Sequence, residues 1–535
     1  PSSIKLEASG QANKNTFAIG AGDANKNATV TIDSFTNKKG TLSIQGNAAD
    51  AGKTSALNAK TIKIGDDAAT DGDAVVNVSG HGILNATGTG SGEGLLIGKG
   101  AKITVEENGK IDATTITMTS GSLSNSGIVT AGTLNLAGGT LTATKAVSGK
   151  TIKVTGGTVD FGSGAGGAGA LGSDTTELIT ISGGTIDAKT AAGAIKGKTI
   201  KFEKGDIKAS AQELTIDGGF EATGGTLTIG DNKSVTFKGN ASIADAVTVT
   251  LDGTNAHTIK VVGTNAENGG KLSVSSAVFN KLTDKTQKGT ISLSGAEGST
   301  AELHLTDDTV DLGSTATTGL NILANSGQLG ILVTIDSAGT NKAVAKISGI
   351  GGTFNTAEAL DGQDKKLALD FQTLTLGKNA FDVKGGASVV VRKTLTIGDG
   401  SKNLTISKGQ VDLEGVDGSS GNSVAAGKIT LGAATTRAGG TGPGGSTGTT
   451  GSAGNLNVTA GEWTVKGLEI VSGTATVAND AVLKVTGDLT TKGASGKLVG
   501  ANTATIDASG VGKLTLAAQG AELQNASTLI LDKAD

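Results

Sequence analysis

Thr133-Leu-Asn-Leu-Ala-Gly-Gly-Thr-Leu141 is the phrase on which the reading of this chain turns. It stands 18 residues earlier as Thr115-Ile-Thr-Met-Thr-Ser-Gly-Ser-Leu123 and 18 residues later as Thr151-Ile-Lys-Val-Thr-Gly-Gly-Thr-Val159. It returns from Leu178 to Ile186, from Thr199 to Ile207 and, shortened, from Glu213 to Phe220. Aligned, one column reads Ile116, Leu134, Ile152, Ile179, Ile200, Leu214. The column two residues on reads Met118, Leu136, Val154, Ile181, Phe202, Ile216. Between them stand Thr117, Asn135, Lys153, Thr180, Lys201 and Thr215. Apolar and polar residues alternate with period two, so each phrase is a short strand with one buried face. Glycine holds the next column at 121, 139, 157, 184 and 205, where a corner needs positive φ. Leu123, Leu141, Val159, Ile186 and Ile207 then point inward from a second strand. Strand, corner, strand and return make one coil of a right-handed parallel β-helix, with coils stacked ~4.8 Å apart.

Working outward, the 535 residues predict roughly 25 coils at about 20 residues each. The expected layout is a β-helix over 1–432, a Gly/Thr/Ser-rich loop over 433–455, and a continuing β-helix over 456–535. A Gly/Ser run over 162–174 lengthens one step and reads as a flexible loop leaving the rod. The period blurs from about Asn255 to Asp370, where Ser276 to Lys285 reads as a short helix with Val278, Phe279 and Leu282 on one face. Glycine numbers 87 and proline 2, without a Gly-X-Y period, which excludes collagen and favours many tight corners.

Composition narrows the function. There is no cysteine, hence no disulfide framework and no thiolate metal site. Aromatic residues make up 2%, too few for a surface that stacks bases or sugars. A net charge of −4 without a basic block argues against nucleic acid as partner. No apolar run approaches a membrane span, so membrane insertion of this segment is not expected. The chain begins at Pro1 without a visible signal sequence, and reads as a processed portion of something larger.

Few residues suggest chemistry. Asp160 and Asp187 fall in one outward column of successive coils, followed there by Lys208 and Glu221. Such a pair can share a proton or hold a cation, but a solvated face of alternating charge is the plainer reading. Asp66, Asp67, Asp71 and Asp73 crowd one corner and form the candidate calcium site. His81, His257 and His304 lie far apart, without metal-ligand spacing, and are expected at the surface or rim. No serine sits in a glycine elbow of the hydrolase type. Gly-Lys-Thr occurs at Gly52, Gly149 and Gly197, but none has the earlier glycine of a phosphate loop or opens a helix. No catalytic residue is assigned.

The phrases at Thr133–Leu141 and Leu178–Ile186 resemble the passenger domains of Gram-negative autotransporter and filamentous-haemagglutinin-type surface proteins. The low-aromatic Thr/Gly/Ala-rich strands also resemble those of some bacterial surface-layer subunits. The resemblance covers most of the chain as a style of sequence. It implies a right-handed β-helix, export to the bacterial cell surface, and a role in adhesion or a surface coat. A non-enzymatic extracellular adhesive or structural rod is therefore expected, with a surface-layer lattice subunit as one alternative and a polysaccharide-active β-helix enzyme as another. Its expected partners are other copies or adjoining segments of the same surface protein, and a host or bacterial cell surface. No cofactor is expected apart from calcium.

Overall fold

The computed structural model describes residues 3–6, 16–20, 27–65, 73–164, 167–253, 255–264, 269–282, 289–296, 298–307, 332–337, 344–354, 359–361, 366–376, 380–415, 421–432, 453–492, 495–511, 513–515, 521–523 and 528–531. The chain is a parallel β-helix divided into two compact units, Pro1–Lys260 and Val261–Asp535.

In the first unit the column read from the sequence becomes a ladder. Phe35 pairs with Ile62, Ile62 with Leu95, and Leu95 with Ile116. It continues through Leu134, Ile152, Ile179 and Ile200. All of these side chains are buried. Two further ladders close the interior, one carrying Leu57, Leu84, Ile111 and Val129, the other Val76, Ile103, Leu123, Leu141 and Val159. Each fully buried Ile, Leu or Val contributes about 1.5–3 kcal/mol relative to exposure. Since each coil buries its core against its neighbours, no coil is stable alone. The glycine column lies in the left-handed region throughout, from φ 72° at Gly184 to 99° at Gly205. At Gly157, φ 73°, a Cβ would also stand 2.7 Å from the Gly138 carbonyl carbon. Stacked glycines keep this corner tight.

Two expectations shift in register. Leu214 and Ile216 pair with Gly193 and Ile195, one strand earlier than the phrase alignment placed them. Ile200 and Phe202 pair instead with Phe220 and Ala222. Phe220 thereby reaches between Phe202 and Phe237, with ring centroids 6.4 and 5.5 Å away. The glycine run over 162–174 does not simply leave the coil. Ser163–Gly164 folds antiparallel onto Gly167–Gly172, which rejoins the ladder against Gly193–Ala209 with Leu171 fully buried. Leu171 supplies the apolar anchor that composition alone concealed.

In the second unit Leu272, Leu303, Ile347, Leu369, Val389 and Val411 form a continuous inward column. Val411 pairs directly with Leu456 and Ile429 with Leu468, so the ladders continue across 433–452. Residues 433–452 themselves lie outside the described residues. A separate ladder runs from Leu404 through Ile429 and Leu468 to Leu489. The helix is present at Ser276–Leu282 and buries Val278, Phe279 and Leu282. The Ser275 hydroxyl accepts from the Val278 amide at 3.2 Å, and Asp307 accepts from the Ser276 amide at 2.7 Å, satisfying donors the first turn leaves free.

Candidate functional site

The candidate calcium cluster is mostly outside the described residues, which include neither Asp66 nor Asp67 nor Asp71. Asp73 is described, and its carboxylate is 2.6 Å from the Lys102 ammonium. Among the described residues no three His, Asp or Glu side chains gather as metal ligands would.

Asp160 and Asp187 are direct neighbours across adjoining strands, as the columns implied. Their carboxylates are each engaged from the turn that follows. Asp160 accepts from the Thr190 hydroxyl at 2.8 Å and its amide at 3.3 Å. Asp187 accepts from the Ser210 hydroxyl at 2.5 Å. Lys208 is next in the column, but Glu221 is not: Lys208 pairs with Thr228, and Glu221 with Lys201. The same register slip that moved Leu214 moved Glu221.

The histidines differ from one another. His81 is half-buried, with Nδ1 against the Asn47 carbonyl. His257 is not at the rim but buried, 1% exposed. Its Nδ1 lies 3.0 Å from the Gly230 carbonyl, and its Nε2 has no hydrogen-bond partner. Its place in the strict alternation of His257–Gly263 points it inward. His304 stands on the outer face of the second unit, with Nδ1 2.7 Å from the Ser348 hydroxyl. That hydroxyl donates to Glu302, whose carboxylate is also 3.7 Å from His304 Nδ1. Serine, histidine and acid thus meet, but in the wrong order for a nucleophile relay. A relay needs serine and acid on opposite ring nitrogens, whereas both crowd Nδ1 here.

His304 belongs to a polar face of linked ion pairs and hydrogen bonds. Lys271 is 3.7 Å from Glu302, and the next rung carries Lys346, 2.7 Å from Asp370. Asp370 also receives Arg392, whose other amino group is 3.2 Å from Glu414. Nearby, Asp412 accepts from Gln410 at 2.7 Å and Asn457 at 2.8 Å. On another ladder Glu469 is held between Lys428 and Lys492. Hydrogen bonds from those two lysines keep the Glu469 carboxyl below the ordinary carboxylate range. Burial lowers the pKa of His304, Lys271 and Lys346 lower it further, and Glu302 partly opposes them. Each opposite-charge pair ties one strand to another, so the face is a cross-coil brace. Sequence reading missed it because the period is irregular there, and pairing partners are invisible without register.

Trp463 is fully buried and donates to the Ala460 carbonyl at 3.0 Å, so it offers no exposed platform for a sugar. The outward column Thr117, Asn135, Lys153 and Thr180 does lie in register on one face. No helix among the described residues is long and apolar enough to cross a membrane. Compared with known proteins, this parallel β-helix matches no protein-family model, no curated protein and no solved structure.

Proposed function

We propose that the chain is a non-enzymatic structural and adhesive component of a bacterial surface, whose copies or adjoining segments associate laterally. The observation that carries this reading is the outer face of the first unit. Its ladders present short polar side chains, Thr117, Asn135 and Thr180 among them, on a surface set by unbroken parallel pairing. From Thr117 to Thr180 such a face packs against another at a modest desolvation cost, since Lys153 is the one charge in that stretch of the column. The carboxylates nearest a catalytic arrangement, Asp160 and Asp187, are committed to Thr190 and Ser210. Location at the cell surface rests on the resemblance of the repeats to exported passenger domains.

The test is light scattering and electron microscopy of the purified chain over a concentration series, with polysaccharide hydrolysis assayed in parallel. Growth of ordered assemblies without hydrolysis is the expected result. A strictly monomeric chain that cleaves a polysaccharide, and loses cleavage in Asp160→Asn or Asp187→Asn, overturns the proposal in favour of an enzyme.

A further inference from the structure

One outward column of the first unit departs from the polar rule. Ile83, Lys110 and Ile128 occupy successive rungs. Ala146 continues the column, since it and Ile128 each precede the paired Val147 and Val129. Ala170 and Ala194 follow, paired with each other, after Leu171 pairs with Val147. Ile128 is 53% exposed, the most exposed of the large hydrophobic residues described. A lone exposed isoleucine is ordinary, but this one lies within a stripe six rungs long, about 24 Å at the strand spacing.

The stripe is asymmetric in an informative way. Its three large residues, Ile83, Lys110 and Ile128, are followed by three alanines, with the buried Ala56 on the rung before them and Thr215 on the rung after. Turn a second copy about an axis parallel to the strands, passing between the Ile128 and Ala146 rungs. Each large residue then meets a small one: Ile128 against Ala146, the Lys110 stem against Ala170, Ile83 against Ala194. This is the self-complementarity of an isologous contact. A copy placed in the parallel sense sets isoleucine on isoleucine and leaves alanine facing alanine.

Charge fits the same occupant. Lys110 is neutralised by Asp112 at 2.8 Å, and Lys196, beside Ala194, by Asp174 at 2.9 Å and Asp217 at 3.7 Å. The flanking column between them carries Asn85, Asp112, Thr130 and Ser148, with Asn85 already bonded to Asn58 at 2.6 Å. A strongly charged partner finds no opposite potential here, whereas a like copy meets a neutral, hydrogen-bonding border. We propose that this stripe is the contact through which two copies pair antiparallel. The proposal rests on the reading that copies associate, and gives that association a face and a sense. The contact covers on the order of 400 Å² per partner, about half that of a standard stable complex. Pairing is therefore reversible and concentration-dependent.

The experiment is sedimentation equilibrium of the full chain over a concentration series, with circular dichroism to check that each variant melts as the parent does. Ile128→Lys is expected to raise the dissociation constant about tenfold or more. Ala146→Ile sets large on large and is expected to weaken pairing as well. The combined Ile128→Ala, Ala146→Ile variant exchanges the two halves and is expected to restore it. Failure of the exchange to restore pairing, or pairing indifferent to Ile128→Lys, overturns the proposal. If larger assemblies persist by light scattering in Ile128→Lys, this stripe is refuted while lateral association stands. A parent chain monomeric at every concentration removes both.

Discussion

The outer face of the first unit around Thr117–Asp187 and that of the second unit around Lys271–Glu414 are built on the same backbone ladder but finished differently. In the first, neighbouring rungs meet through hydroxyls and amides: Thr144 with Ser126 at 2.8 Å, Asp187 with Ser210. In the second they meet through alternating charge, from Lys346 to Asp370 to Arg392 to Glu414. The first unit also has the tighter repeat, with 18 residues from Ile116 to Leu134 and again to Ile152. The second takes 44 residues from Leu303 to Ile347 and 45 from Val411 to Leu456. Where successive coils are close copies, stacked glycine corners and cores set the register. In the second unit the ion pairs from Lys346 to Glu414 join coils 20 to 22 residues apart, while the long step from Leu303 to Ile347 is bridged by hydrogen bonds from Ser348 to Glu302 and His304. The first surface carries shorter runs of charge, Lys150 with Glu177 at 3.7 Å and Lys196 with Asp174 at 2.9 Å, whereas in the second four charges run on as one chain.

The largest test applies to what both faces share. Ile152 is fully buried and Lys153, its neighbour, is exposed. Ile152→Asp should cost about 4–5 kcal/mol, because a carboxylate is buried without a partner. Lys153→Asp should stay within ~0.5 kcal/mol. Denaturant unfolding of both variants reads the difference, and equal losses would remove the assigned register.

Next in size is the corner on which the regular unit depends. Gly157→Val forces a β-branched residue to φ 73° and drives a Cβ into the Gly138 carbonyl carbon. The expected cost is roughly 2–3 kcal/mol. Thermal unfolding that leaves the midpoint unmoved would mean the corner relaxes freely.

The contrast itself is sharpened by a pair of aspartates. Asp370 has a side chain 15% exposed and holds two cations, so Asp370→Ala should cost about 1–3 kcal/mol. Asp160→Ala removes only hydrogen bonds to an exposed turn and should cost under ~1 kcal/mol. Hydrogen exchange resolved to each unit measures both. A larger loss at Asp160 would reverse the argument about which face is braced.

The smallest effect is on acid sensitivity. His304 has a folded pKa below its unfolded value, so the unfolded chain takes up the proton first. Stability of the second unit is full above about pH 6.5 and begins to fall as pH drops below it. The Glu469 carboxyl, also depressed, adds a loss that starts within the ordinary carboxylate range, where the unfolded chain takes up the proton, and continues down through its folded pKa. His304→Gln should flatten the first stage and leave the second. A stability profile indifferent to that substitution would place the His304 imidazole in water.

Much of this was legible beforehand, for reasons that can be named. Alternation with period two settles which face is buried, and Ile116, Leu134 and Ile152 pair as their columns require. The glycine column was readable because only glycine adopts that corner without strain, and the helix at Ser276 because its apolar spacing differs from a strand's. Alternation says nothing about which neighbour a strand meets once the step changes. Asp217-Gly-Gly therefore passed for the usual corner, while its strand belonged one position earlier. His257 was read by residue type as a rim residue, although its place in the alternation points inward. The charged brace was out of reach, because Asp370 and Arg392 become partners only when register is known.

The 18-residue interval from Ile116 to Leu134 to Ile152 bears on how such a chain is made. A strand entering that ladder needs to find only the one laid down just before it, so the loop to be closed stays short and its entropy cost low. Growth can then run as a zipper from any formed rung, each turn templating the next.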